Sequence, residues 1–253
     1  MVHSFSFPKV GNIGLVYVLH GELFLGNTCI IVPAFDFPTL LGYIQKYRMT
    51  KLFLVPPIVL RLVKDPLTLN YNLSTLNQIT SGAAPLGTST MTLLRQKFPG
   101  IIFNQAYGLT ETSPVVTAQL PNDQVDGSSG VLLPNMLAKL VDASTGEEIH
   151  ELGVPGELWV SGPNVTLGYL RRPDETRETF VFDDEGRRWL KTGDEVEVRM
   201  SEKDQEHFWI VDRIKELIKV TLSFFKPKIH QAGSGISSAT CRIGSSFAGT
   251  RVN

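Results

Sequence analysis

Over its first 125 residues the chain alternates short apolar runs with stretches of helical length, a pattern that few architectures satisfy. Leu15 to Leu25 is apolar and long enough for a helix. Cys29-Ile30-Ile31-Val32 reads as a strand closed by Pro33. A helix is predicted from Phe37 to Tyr47, then a strand at Leu52-Phe53-Leu54-Val55. Pro56-Pro57 opens another helix, since proline is tolerated in a first turn. A strand near Gln78-Ile79-Thr80 leads into the small-residue segment Ser81 to Gly87. Thr88 to Phe98 reads as a helix and Ile101-Ile102-Phe103 as the next strand. Strands separated by helices pair in parallel, so residues 1–125 are expected to form a partial parallel-sheet α/β layer.

After about residue 125 Gly and Pro punctuate short apolar runs: Ala138 to Val141, Gly156 to Val160, and His207 to Val211. This texture predicts a β-rich subdomain over 126–212, a small barrel-like or curled sheet packed on the α/β part. At 42% hydrophobic over 253 residues the chain can bury a core of that size. Its net charge of −1 gives no pull toward nucleic acid or anionic membrane. The charge is uneven: of 24 basic residues against 25 acidic, Lys226, Lys228, Arg242 and Arg251 lie in residues 221–253, which hold no acid. That tail is rich in Ser and Gly, lacks helical or strand periodicity, and is expected to be disordered or foreign to the fold. Cys29 and Cys241 cannot make a disulfide framework and fit a reducing compartment. Met1-Val2-His3-Ser4 shows no signal pattern. His20, Glu22 and Asn27 interrupt the apolar stretch Ile13 to Val32, so a buried helix plus a strand is expected there, not a membrane span.

Four clusters carry candidate chemistry. In Ser81 to Gly87, small residues after a strand let a flat ligand lie against the backbone, or simply make a tight strand-to-helix connection. Gly82, Gly87 and Thr88-Ser89 come near a phosphate-binding loop, but its lysine is missing and Pro85 removes a donor. In Gln105-Ala106-Tyr107-Gly108-Leu109-Thr110-Glu111-Thr112, the Tyr offers a ring face, the Thr a hydroxyl for phosphate oxygen, and the Glu a ligand for Mg²⁺. The plain alternative is a polar loop. Asp194, after Lys191-Thr192-Gly193, offers two acceptor oxygens that match vicinal ribose hydroxyls, or marks an ordinary Gly-Asp turn. In Ile210 to Lys219, the planar fork of Arg213 suits ribose or phosphate oxygens. A charged edge strand with solvated Lys215 and Lys219 is the other reading.

In this order and with these gaps the four clusters resemble the adenylate-forming superfamily, with the nearest likeness to 4-coumarate–CoA ligases and luciferase-like acyl-CoA synthetases. The likeness covers about residues 14–219 and takes in Gly168-Tyr169-Leu170, Arg172-Pro173 and Thr176 to Phe180. It implies that Ala83 borders the acyl-adenylate and that Gln105, Ala106, Tyr107, Gly108 and Thr110 line the nucleotide site. Thr110 and Glu111 would serve the phosphates, with Glu111 on Mg²⁺. Ala118 would meet the acyl-adenylate, Asp194 the ribose hydroxyls, and Arg213 would assist. Lys215 would belong to a catalytic hinge remnant at 213–220, and Lys219 would lie near the nucleotide and CoA path. The reaction implied joins a small-molecule carboxylic acid to ATP as acyl-AMP and then to CoA.

The family also carries a Ser/Thr/Gly-rich phosphate loop and a histidine segment before the position of Leu15, and nothing between Met1 and Gly14 resembles them; His3 is too far ahead. After Val220 a Lys-Gly-aromatic turn is expected, whereas this chain reads Thr221-Leu222-Ser223-Phe224-Phe225, and no late lysine of the lid follows. The expectation is therefore a fragment of an acyl-CoA ligase, inactive or nearly so alone. The alternatives are a non-catalytic remnant that binds a nucleotide or partner, and an unrelated α/β hydrolase or NTPase, which would lack its own motifs here. A cytoplasmic or peroxisomal location is expected by resemblance, although Arg251-Val252-Asn253 is not the peroxisomal address.

Overall fold

The computed structural model of the chain describes residues 3–6, 13–32, 35–82 and 86–214. Ala83, Lys215, Lys219 and the tail 221–253, on which expectations fell, lie outside the described residues. Among the described residues, no helix is long and apolar enough to cross a membrane.

The first sheet contains five parallel strands in the order β2-β1-β3-β4-β5: β1 (His3–Ser6), β2 (Thr28–Ile31), β3 (Lys51–Leu54), β4 (Gln78–Ser81) and β5 (Ile102–Tyr107). Two short antiparallel strands extend it, β6 (Thr117–Ala118) and β7 (Val131–Leu132). The helices are α1 (Gly21–Phe24), preceded by a π-wound stretch Ile13–His20, then α2 (Phe37–Tyr47), α3 (Pro56–Lys64) and α4 (Thr88–Lys97). In α2 the apolar residues Phe37, Leu40, Leu41 and Ile44 share one stripe, all buried. Asp36 caps the helix by accepting from the Thr39 amide at 2.9 Å, and Arg48 ends it in the left-handed region. That stripe packs with Leu52 and Leu54 of β3, Ile79 of β4 and Phe103 of β5 in one core, which Val59 and Leu62 of α3 and Leu94 of α4 complete.

The second sheet is antiparallel and open, not a closed barrel. Its order is β11-β12-β10-β8-β9, with β13 also paired to β12. The strands are β8 (Leu137–Val141), β9 (Glu148–Ile149), β10 (Gly156–Ser161), β11 (Phe180–Phe182), β12 (Arg188–Met200) and β13 (Glu206–Arg213), with α5 (Pro173–Thr179) before β11. Leu140, Leu158, Val160, Leu190 and Val196 alternate inward to make its core, and Val116 from beside β6 joins them. The change of sheet falls after Leu132, because β6 and β7 still belong to the first sheet.

The two sheets are joined by backbone. The Ser129 amide donates to the Phe208 carbonyl at 2.7 Å, and the Phe208 amide returns a bond to the Gly130 carbonyl at 2.9 Å. Gly130 has φ +93°, and a Cβ there would lie 2.0 Å from the Ala118 carbonyl carbon, so only glycine allows this approach. Beneath the crossing His207 is fully buried. Its Nδ1 lies 2.9 Å from Ser128 Oγ and its Nε2 3.1 Å from Asp123 Oδ2, which also accepts from Ser201 Oγ at 2.9 Å.

Candidate functional site

The carboxyl ends of β4 and β5 lead into the candidate site, the edge where open parallel sheets take their ligands. Strand β5 runs further than its apolar residues suggest. Ala106 pairs with Ala118 and Tyr107 with Thr117, and this antiparallel ladder keeps Gln105, Ala106 and Tyr107 on the strand instead of on a loop. The same pairing sets the expected ligand neighbours Ala106 and Ala118 directly opposite each other. The chain then reverses tightly. A Cβ on Gly108 would sit 1.8 Å from the Pro114 carbonyl oxygen, so a side chain there has no room. Thr110–Thr112 form a single 3-10 turn. The buried Thr112 hydroxyl ties the turn to itself, accepting from the Leu109 amide at 3.0 Å and lying 3.0 Å from the Pro114 carbonyl. Thr110 is left at the surface and Glu111 half-buried.

Asp194 and Arg213 arrive from the second sheet. Gly193 is not a turn: β12 passes straight through it with φ +72°, and a register shift follows between Glu195 and Val196. The irregularity turns Asp194 toward β5 while the strand continues. Asp194 is 5% exposed and faces Arg213 across the β12–β13 ladder, with Arg213 Nε 3.3 Å from Asp194 Oδ1. Tyr107 donates its hydroxyl to Asp194 Oδ2 at 2.6 Å. Three of the residues singled out in the sequence, 87 or more positions apart for Tyr107 and its partners, therefore form one cluster. Burial first, then the negative charge of Asp194, push the Tyr107 phenol far above its ordinary range, so it remains a donor.

Gln105 occupies a different place. It is 4% exposed and braces two loops: its Oε1 accepts from the Leu86 amide at 2.9 Å, and its Nε2 donates to the Ser128 carbonyl at 3.3 Å. It thereby fixes the end of the Ser81–Gly87 segment against the seam between the sheets.

Other side chains on the site had no role assigned from the sequence. Tyr169 donates to Glu111 Oε1 at 2.6 Å, and the Thr166 amide donates to the Glu111 carbonyl at 2.8 Å. Asn164 Nδ2 donates to the Thr112 and Val115 carbonyls at 2.6 and 3.0 Å. Burial and then the bond to Glu111 push the Tyr169 phenol up to about 12. Gly168-Tyr169-Leu170 stood out by resemblance, but nothing in its local pattern tells which residue 58 positions away it meets. A cavity of about 350 Å³ adjoins the turn, with Tyr17, Phe53, Pro114 and Asn164 on its wall and the Glu22–Lys51 ion pair (2.8 Å) within it.

These groups suit a magnesium-bound nucleotide. Asp194 can accept from sugar hydroxyls, Arg213 can donate to ring or phosphate oxygens, and Thr110 presents a hydroxyl. Among the described residues no three His, Cys, Asp or Glu side chains gather as a metal cage. A lone carboxylate suffices for Mg²⁺ that keeps phosphate and water oxygens as its other ligands, and Glu111 provides one.

Comparison with known proteins places the chain in a family. The AMP-binding enzyme family is matched over residues 7–170. An acyl-CoA ligase of Alternaria alternata, AKT1, is 37% identical over 213 residues, covering 84% of this chain and 37% of that protein. A 4-coumarate–CoA ligase of Pinus taeda is 40% identical over 207 residues, covering 80% of this chain and 37% of that protein. The crystal structure of ATP-bound MatB from Rhodopseudomonas palustris superposes with a TM-score of 0.70 at 30% identity, covering 84% of this chain and 40% of that one. The chain thus spans a little over one third of the length of these relatives. By the family match over most of its length and its identity to these ligases, the chain belongs to the AMP-binding, adenylate-forming enzymes that include the acyl-CoA ligases.

Proposed function

We propose that this chain binds the adenosine-monophosphate part of an acyl-adenylate between the Tyr107–Glu111 segment and the pair Asp194 and Arg213. The observation that carries the reading is the convergence of Tyr107 and Arg213 on the buried Asp194 carboxylate at the carboxyl edge of the first sheet. Asp194 would take the ribose hydroxyls, with Arg213 beside it, and Gly108 would line the nucleotide with its backbone. Ala106 and Ala118 would border the acyl-adenylate, as would Ala83, and Thr110 would donate to phosphate oxygen. Glu111 would hold Mg²⁺, whose charge offsets the charge building on the phosphate oxygens.

In the reaction of the whole enzyme, the carboxylate of an acid attacks the α-phosphorus of ATP. The bond to pyrophosphate breaks, and the thiol of CoA later displaces AMP from the acyl carbon. Val16, Phe53, Val115 and Leu133 give the cavity beside the turn apolar wall for the carbon chain of the acid. Lys215 and Lys219 are proposed to serve a hinge and the path to CoA.

We further propose that this chain alone turns over slowly or not at all. It spans about 37% of its relatives' length, and each positioned charge-stabilising donor that is lost costs roughly 100- to 1,000-fold in rate. As second reading, we propose a remnant that binds a nucleotide without turnover. Release of pyrophosphate with ATP, Mg²⁺ and a panel of carboxylic acids separates them, paired with AMP titration by calorimetry. Binding without release supports the nucleotide site and slow turnover, brisk release refutes the inactivity, and no AMP binding refutes the site itself.

A further inference from the structure

We infer that Tyr169 is a positioning residue for the Glu111 carboxylate, fixing the oxygen geometry that Glu111 presents to a nucleotide-bound magnesium ion. The inference rests on the reading of Glu111 as the magnesium-facing group.

The backbone of Glu111 is already secured. Thr166 donates to its carbonyl, and Asn164 donates to the carbonyls of Thr112 and Val115 on either side of the reversal. These bonds fasten the Gly162–Tyr169 segment to the turn without using the Glu111 side chain. The carboxylate is a separate matter, because three rotatable bonds lie between it and the backbone. Among the described residues Tyr169 reaches it, its hydroxyl 2.6 Å from Oε1 in a short charge-assisted bond.

Tyr169 is itself held by α5 and the strand that follows it. Its amide donates to Thr176 Oγ1 at 3.0 Å, and its ring meets Phe180 edge-on at 5.8 Å between centroids. A Cβ on the preceding Gly168 would fall 2.5 Å from Thr176 Cγ2, so glycine alone permits this approach to α5. The chemistry of the donor matters as well. A lysine or arginine in this place would neutralise the carboxylate and compete with a cation. A phenol donates one hydrogen, leaves the full negative charge, and occupies one oxygen of a group that has a second to offer Mg²⁺. The arrangement orients a ligand's partner without discharging it, as outer-shell bonds do at metal sites.

The test uses the full chain and two probes, ATP with and without saturating Mg²⁺, and AMP in chelator, each followed by calorimetry. The readout is the gain in ATP affinity on adding magnesium. Tyr169→Phe keeps the ring against Phe180 and removes only the hydroxyl. It is expected to cut the magnesium gain by about threefold to tenfold while AMP affinity in chelator stays the same. Glu111→Asp keeps the charge but withdraws it from the hydroxyl; it should cut the gain similarly, and Tyr169→Phe added to it should cut it no further. The pair keeps the test decisive if Tyr169→Phe melts early. Should Tyr169→Phe leave the gain intact while Glu111→Gln removes it, the role of Tyr169 is overturned and that of Glu111 survives. A parallel loss of AMP affinity in Tyr169→Phe would show a mere fastening of the loop and likewise overturn it. If Glu111→Gln also leaves the gain intact, or the wild-type chain binds neither probe, the reading of Glu111 falls and the inference falls with it.

Discussion

The two ends of the proposed nucleotide site are built by different means. At the Asp194 end, the partners stand opposite one another because a strand ladder puts them there: Asp194 and Arg213 are cross-strand neighbours in β12 and β13. At the Glu111 end, a three-residue turn is held by single hydrogen bonds from a loop more than 50 positions away in sequence. A ladder distributes its constraint over many backbone bonds, so one side chain can change while the others stay in place. A turn fastened by individual side chains concentrates the constraint, and each loss acts locally.

The largest expected effect would erase the contrast altogether. Gly108→Ala places a methyl 1.8 Å from the Pro114 carbonyl oxygen, where backbone must move. It should cost roughly 3 kcal/mol or more of stability and weaken AMP binding and the magnesium gain together, read by urea melts and calorimetry. A neutral Gly108→Ala would mean that the reversal is not the common base of the two ends.

Asp194→Asn sharpens the contrast. It leaves the ladder intact but replaces the carboxylate shared by Tyr107 and Arg213. AMP affinity should fall about 10- to 100-fold, with the magnesium gain on ATP unchanged. A drop in both would show that the two ends are coupled more tightly than their construction implies.

Acid is expected to have the mildest effect, and to act on the Asp194 end through Asp123. Burial raises the pKa of that carboxyl, but hydrogen bonds from His207 and Ser201 outweigh it and hold the group below its ordinary value. Asp183 is held low as well, first by the Trp189 indole N–H at 2.8 Å. A carboxyl depressed in the folded state contributes its full stability above the unfolded value of about 4. That contribution is lost as pH falls through the lower folded values. The thermal midpoint should therefore hold level from neutrality to about pH 5 and decline below about pH 4. A decline already complete at pH 5 would assign the acid sensitivity to other groups.

Much of the first sheet was legible in the residues. The helix Phe37–Tyr47 could be read to the residue, because the Asp36 cap, an early proline and a clean apolar stripe all agree. The four chemical clusters were legible as compositions in order. What the sequence could not show was where strands continue through residues that look like punctuation. Gly193 reads as a turn, yet β12 carries it in mid-strand. Gln105 to Tyr107 read as loop, yet β6 pairs with them. Nor could it show that the side-chain amide of Gln105, an expected ligand neighbour, is engaged by Leu86 and Ser128. Contacts such as Tyr169–Glu111 and His207–Ser128 join isolated residues far apart in the chain, and a single residue has no period by which to announce its partner.

The paired bonds that Phe208 exchanges with Ser129 and Gly130 have a thermodynamic consequence. A strand that serves as the wall of one sheet and the clasp of its neighbour cannot be released from either without loosening both. Residues 1–213 form one compact unit, and heating should therefore meet a single enthalpy there, with calorimetric and van't Hoff values in agreement. What looks on paper like two subdomains would melt as one foldon.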